Sequence, residues 1–136
     1  MKTIAASAAA TRALGARIAS LSKPGDVFVL EGELGAGKTE FARGFVTSLN
    51  PAAPVKSPSF SILNIYETKE FPVYHFDFYR LTDATEFGEI GFDDYADGSG
   101  VCLIEWGTLF PNVLPKGATI IRFHDAGNGV REIDMP

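Results

Sequence analysis

The chain has 136 residues, room for one domain that buries about two-thirds of its unfolded surface. Its 46% hydrophobic and 21% charged content is ordinary for a globular protein, and no apolar run is long enough to span a bilayer. A net charge of −5 argues against a protein that grips nucleic acid unaided, because neutralising phosphates needs a basic face.

Residues 1–25 carry Lys2, Arg12, Arg17 and Lys23 with no acid, which in composition resembles a targeting presequence. Arg12 interrupts the apolar run too early for a signal peptide. Leu14, Ile18 and Leu21 instead make one stripe of an amphipathic helix ending near Pro24-Gly25. Residues 1–22 are therefore expected to belong to the fold of a cytoplasmic protein.

Val27–Leu30 is a short β-rich run, and Gly32 to Thr39 then read G-E-L-G-A-G-K-T. That is the G-x-x-x-x-G-K-T phosphate-binding loop, in which backbone N–H groups cradle phosphates, Lys38 reaches the β/γ-phosphates and Thr39 holds Mg²⁺. Phe41, Phe45, Val46 and Leu49 follow at helical spacing and predict a helix over about 38–49. Strand, glycine loop and helix is the context the chemistry needs, because a helix N-terminus adds exposed N–H groups and partial positive charge. The loop residues Glu33, Leu34, Gly35, Ala36, Gly37, Lys38, Thr39 and Glu40 are the expected nucleotide contacts.

Asn50-Pro51 stops the helix, and a proline-punctuated loop runs to Pro58. Within Ser57-Pro58-Ser59-Phe60, Ser59 is either a contact to the γ-phosphate, the attacking water or a Mg²⁺-bound water, or a strand-entry turn residue bonded to its own backbone. Phe60–Tyr66 and Val73–Phe78 read as strands, antiparallel because the Glu67–Glu70 connection is short. Asp83 and Glu86 suggest a capping pair for a short helix closed by Gly91. The stretch 83–97 holds six acids and no base, either a solvated face or a surface for a partner or metal. Val101–Glu105 is a buried-type strand in which Cys102 reads as a small hydrophobe. Thr119–His124 and Val130–Asp134 flank Gly127-Asn128-Gly129 and suggest a final hairpin. These elements describe an α/β fold with a mixed sheet.

A phosphate loop needs a carboxylate near its metal, at the end of a neighbouring apolar strand. Glu105 after Val101–Ile104 and Asp77 after Val73–Phe76 both fit, although each is also what a polar strand end looks like. Arg80 has three open roles: bridging Asp77, stabilising phosphate charge, or pairing with the acidic stretch. His75 alternates onto the face of Asp77, and a lone strand histidine is more often structural than a base. Trp106 is most simply sheet-end packing.

In order along the chain, GELGAGKT, FARG, SPSF, HFDFYRL, the Glu86–Gly91 segment and IEW resemble the TsaE (YjeE) ATPases. The resemblance runs to about Trp106. It implies a P-loop NTPase-type mixed β-sheet flanked by helices, as a single domain over residues 1–136. It further implies a weakly hydrolysing ATPase with ATP and Mg²⁺ as cofactors, needed for threonylcarbamoylation of adenosine in tRNA. Its expected partner is the TsaB–TsaD heterodimer, with tRNA met only indirectly, no membrane contact, and a monomer in isolation. Position by position, Lys38 and Thr39 would bind phosphate and Mg²⁺, Ser59, Asp77 and Glu105 would form the catalytic and metal side, and Trp106 would sit beside them. Thr39 and Glu105 are the expected metal ligands.

Two positions depart from the family pattern. Ser59 stands where Thr is usual and loses the methyl that fixes its rotamer. Glu40 stands where a second Thr is common, so its carboxylate must point away or weaken nucleotide binding. A small-molecule kinase shares the loop, but no Arg-rich insertion supplies a lid. A GTPase would show N-K-x-D, which is absent, and Asp97-Gly98-Ser99-Gly100 precedes a strand instead of ending one. A non-hydrolysing ATP-dependent adaptor is the remaining alternative.

Overall fold

The computed structural model describes residues 1–33, 36–58, 60–83, 85–96 and 98–135; Leu34, Gly35, Ser59, Ala84, Asp97 and Pro136 lie outside the described residues. The N-terminus differs from the sequence expectation. Lys2–Ala5 forms a strand, β1, before the helix begins, and it pairs antiparallel with the last strand. Helix α1 (Ala8–Leu21) starts at Ser7, whose hydroxyl accepts the N–H of Ala10 at 3.1 Å.

Strand β2 (Val27–Glu31) leads through the glycine loop into helix α2 (Lys38–Leu49). Strands β3 (Leu63–Tyr66) and β4 (Val73–Asp77) form the expected antiparallel pair. β3 starts later than its apolar pattern suggests, because Ile62 has φ 68° and breaks the extended run. Its N–H donates to Pro58 O and its carbonyl accepts from Asp77 N, both at 2.8 Å, so the loop is tied to the end of β4.

Helix α3 (Thr85–Ile90) has the expected capping acids. Glu86 Oε1 accepts the N–H groups of Thr82 and Asp83, and Asp83 Oδ1 accepts that of Thr85. Helix α4 (Phe92–Ala96), unanticipated in the sequence, follows directly. Strand β5 (Val101–Glu105), a 3₁₀ turn at Gly107–Leu109, and the hairpin of β6 (Thr119–Gly127) and β7 (Val130–Asp134) complete the chain.

The seven strands lie in the order β1-β7-β6-β2-β5-β4-β3. β6, β2, β5 and β4 run parallel, while β3 and β7 pair antiparallel at the flanks, giving a mixed sheet. Alternation divides the core between the two faces. Leu30, Leu103, Val73, Ile121 and Ile133 pack with Phe41 and Phe45 of α2 on one face. Val27, Cys102, Ile104 and Phe76 pack with Phe87 and Phe92 of α3 and α4 on the other. Cys102 is fully buried, and burial pushes its thiol pKa up to about 12, so it is a hydrophobe and not a nucleophile.

The two long helices touch at their backbones. A Cβ on Gly44 of α2 would lie 1.9 Å from the carbonyl oxygen of Arg12, and one on Gly15 of α1 would lie 2.1 Å from that of Phe41. Only glycine permits that approach, and it fixes α2 against α1 and the sheet.

Candidate functional site

Parallel pairing brings the ends of β2, β5 and β4 to one edge of the sheet. Leu30, Glu105 and Asp77 lie on one rung there, with Leu30 opposite Glu105 and Glu105 opposite Asp77. α2 starts at this edge. Its N-cap is Gly37 at φ 105°, a left-handed conformation natural to glycine, which has no side chain with which to cap the helix. Uncapped first-turn N–H groups at a helix N-terminus are an arrangement suited to an anion.

Lys38 opens the helix and is only 4% exposed. Its Nζ donates to Gly32 O at 2.6 Å and lies 4.1 Å from the centroid of the Trp106 ring. Burial lowers the pKa of this ammonium; the negative charges of Glu105, Asp77 and Glu33 pull upward without cancelling that effect. The ammonium is positioned at the helix N-terminus to meet a phosphate, while the charges of Asp77 and Glu105 beside it would need a divalent cation to offset them.

Asp77 and Glu105 are 5% and 4% exposed. Asp77 Oδ1 accepts the N–H of Tyr79 at 2.9 Å. Glu105 Oε2 is 2.7 Å from Nε2 of His75, which is completely buried. A carboxylate only accepts, so Nε2 carries the hydrogen. Trp106 follows Glu105 at φ 61°, ψ 23°, a left-handed backbone costly for a bulky residue, of order 1–3 kcal/mol. That turn lays its indole over Lys38, so Trp106 is not merely packing at the sheet end. The Tyr79 ring packs against it in a tilted arrangement, with centroids 5.0 Å apart.

The remaining expected positions divide. Thr39 is half-buried in the first turn of α2, and Ala36 is buried behind the loop. Glu33 is exposed, its carboxyl held below the usual range by the backbone N–H groups of Glu33 and Asp125. Glu40 is turned toward α1, where Oε2 is 2.6 Å from Arg12 Nη1 and Oε1 bonds to Arg43. Burial disfavours its charge, but the bond from Arg12 and the charge of Arg43 outweigh that and hold its pKa low. The carboxylate points away. Leu34, Gly35 and Ser59 lie outside the described residues, as does Asp97 of the D-x-x-G string. Arg80 stacks 4.5 Å from the centroid of Phe60, a contact none of its three anticipated roles included.

Two contacts escaped the sequence. The first is the bond from His75 to Glu105. The second is Arg131 of β7, whose side chain lies 3.4 Å from where a Cβ on Gly37 would begin, while its Nη1 bonds Asp125 Oδ1 at 3.0 Å. The hairpin turn was legible and implies the Asp125–Arg131 pairing, but nothing in the string shows that β7 folds back beside the glycine loop.

The sequence model of the family described as "Threonylcarbamoyl adenosine biosynthesis protein TsaE" matches residues 5–133. The tRNA threonylcarbamoyladenosine biosynthesis protein TsaE of Bacillus subtilis (strain 168) is 44% identical over 123 residues, covering 90% of this chain and 77% of that protein. Its counterpart in Treponema pallidum (strain Nichols) is 36% identical over 135 residues, 99% of each. The crystal structure of Bacillus subtilis YdiB superposes with a TM-score of 0.82 at 37% identity, covering 99% of this chain and 83% of that one.

Proposed function

The chain belongs to the TsaE family of tRNA threonylcarbamoyladenosine biosynthesis proteins, and from that premise we propose that it binds ATP with Mg²⁺ and hydrolyses it slowly. The observation that carries this reading is the position of Lys38, a buried cation at an uncapped helix N-terminus beside two buried strand-end acids. Glu33 to Glu40 would contribute loop N–H groups, Lys38 the charge toward the β/γ-phosphates, and Trp106 an edge beside them.

The donor set fits magnesium. A threonine hydroxyl and carboxylates are hard oxygen ligands, and among the described residues no group of three or more His, Cys, Asp or Glu is placed to hold a metal by itself. Mg²⁺ suits such a site, since it is usually held by one or two protein oxygens plus phosphate and water. Thr39 and Glu105 would hold it, directly or through water. The ion would neutralise charge on the phosphates; Asp77, and Ser59 from its loop, would serve the γ-phosphate side.

In this reading the protein works in the cytoplasm as a monomer that joins the TsaB–TsaD heterodimer and meets tRNA only through it. No described helix is long and apolar enough to cross a membrane. Calorimetry with Mg-ATP and Mg-GTP, followed by turnover with and without TsaB–TsaD, tests the proposal. Micromolar ATP binding, weaker GTP binding and turnover raised by the heterodimer are expected. ATP binding with no turnover in either condition would leave the non-hydrolysing adaptor. Equal or tighter GTP binding would overturn the ATP assignment.

A further inference from the structure

We infer that His75 is a positioning residue that aims the carboxylate of Glu105 toward the metal side of the site. This rests on the proposed role of Glu105 above. His75 and Glu105 do not oppose each other in the ladder. His75 is the Cα partner of Leu103, two residues earlier on β5, so the contact is a diagonal one on a single face of two parallel strands. His75 Nε2 reaches Glu105 Oε2 at 2.7 Å, and the ring is fully buried.

The other ring nitrogen shows what the histidine is for. Nδ1 is buried and has no hydrogen-bond partner among the described residues. An imidazole serving the fold would ordinarily satisfy both nitrogens. This one directs its single donor to Glu105 and leaves Nδ1 unmatched, in a place where a phenyl ring would fill similar space without that loss. The gain lies in the carboxylate. With Oε2 tied to β4, rotation about the terminal bond of Glu105 is restrained, and the carboxylate is held at the sheet edge beside Lys38 at the start of α2. Partners that orient a metal-side ligand in this way typically change metal affinity by about 10- to 100-fold.

Two amide replacements separate donor geometry from burial. The Gln amide nitrogen reaches about as far as His Nε2, whereas that of Asn stops near the Nδ1 position. The full-length His75→Gln, His75→Asn and Glu105→Gln proteins, with thermal melts for each, are titrated with ATP in EDTA and again in saturating Mg²⁺. The readout is the ratio of the two affinities. His75→Asn is expected to lower the Mg²⁺ gain about tenfold or more, with metal-free ATP affinity within about twofold of the unmodified protein; His75→Gln is expected to keep the gain to within about threefold. Equal losses in Gln and Asn, failure of both to fold, or an unchanged gain in Asn beside a lost one in Glu105→Gln would each overturn the inference alone. An unchanged gain in Glu105→Gln would overturn the metal-side role of Glu105 itself, and the inference with it.

Discussion

Asp77 and Glu105 face each other across the parallel strands β4 and β5 at the edge where α2 begins, and they are anchored by different means. Glu105 is bonded to a side chain from inside the sheet, His75. Asp77 accepts the backbone N–H of Tyr79, at the start of the surface segment that carries Arg80. Glu105→Ala is therefore expected to weaken Mg²⁺-dependent ATP binding or turnover by about 2–4 kcal/mol, the scale for losing one contact to developing charge. Asp77→Ala should keep more nucleotide affinity and lose more of the TsaB–TsaD-stimulated turnover. Calorimetry and turnover on both variants check this. Loss of Mg-ATP binding in Asp77→Ala with retention in Glu105→Ala would reverse the two roles.

Lys38→Ala is expected to remove productive Mg-ATP binding while the far-ultraviolet spectrum stays that of the unmodified protein. The ammonium bonds a loop carbonyl and an aromatic face, whereas α2 is held in place by its buried Phe41 and Phe45 and by the close approach of Gly44 to α1. Unchanged Mg-ATP affinity in calorimetry would remove the phosphate-loop assignment itself.

Glu40 gives a pH-dependent test. Its folded-state pKa lies below the ordinary 4.5, so its contribution to stability is present above that value and disappears as pH falls through the folded pKa. The partly exposed bridges to Arg12 and Arg43 should be worth up to about 1 kcal/mol together. Urea unfolding of Glu40→Gln should show that deficit near neutrality and none in strong acid. Because the carboxylate points at α1, ATP affinity should change by less than about threefold. A gain of an order of magnitude would show that Glu40 does repel phosphate.

Two glycines on helices should respond oppositely to alanine. At Gly44 the new methyl meets the Arg12 backbone, and a loss of about 1–3 kcal/mol is expected from overpacking. Gly88 of α3 has nothing within 4 Å of its Cβ position, so alanine there should stabilise by about 0.4–1 kcal/mol. Paired denaturation curves decide it; similar effects at both sites would contradict the close contact of α1 with α2.

Features carried by local sequence were legible: the glycine loop, the apolar spacing of α2, the uninterrupted β5 and the Gly127–Gly129 turn. What stayed hidden depends on register and strand order. Lys2–Ala5 is too short to show a period and becomes a strand only because β7 offers it an edge. The bond from His75 to Glu105 could not be read because the diagonal link from β4 to β5 exists only once their parallel register is set. The left-handed turn at Trp106, whose positive φ falls on the tryptophan and not on the following Gly107, carries the indole from the sheet end to Lys38. α4 is only five residues long, too short for Phe92, Tyr95 and Ala96 to establish a helical period within the acidic run.

The strand order also bears on how the molecule is assembled. Among the described residues β1 pairs with β7 alone, and the strand before the glycine loop lies between β5 and β6, both from the second half of the chain. An emerging polypeptide that has delivered the loop and its helix therefore has no sheet on which to seat them. Closing such distant pairs carries a loop entropy that local contacts cannot offset, and it slows folding. The phosphate loop is thus synthesised well before the strands that flank and support it.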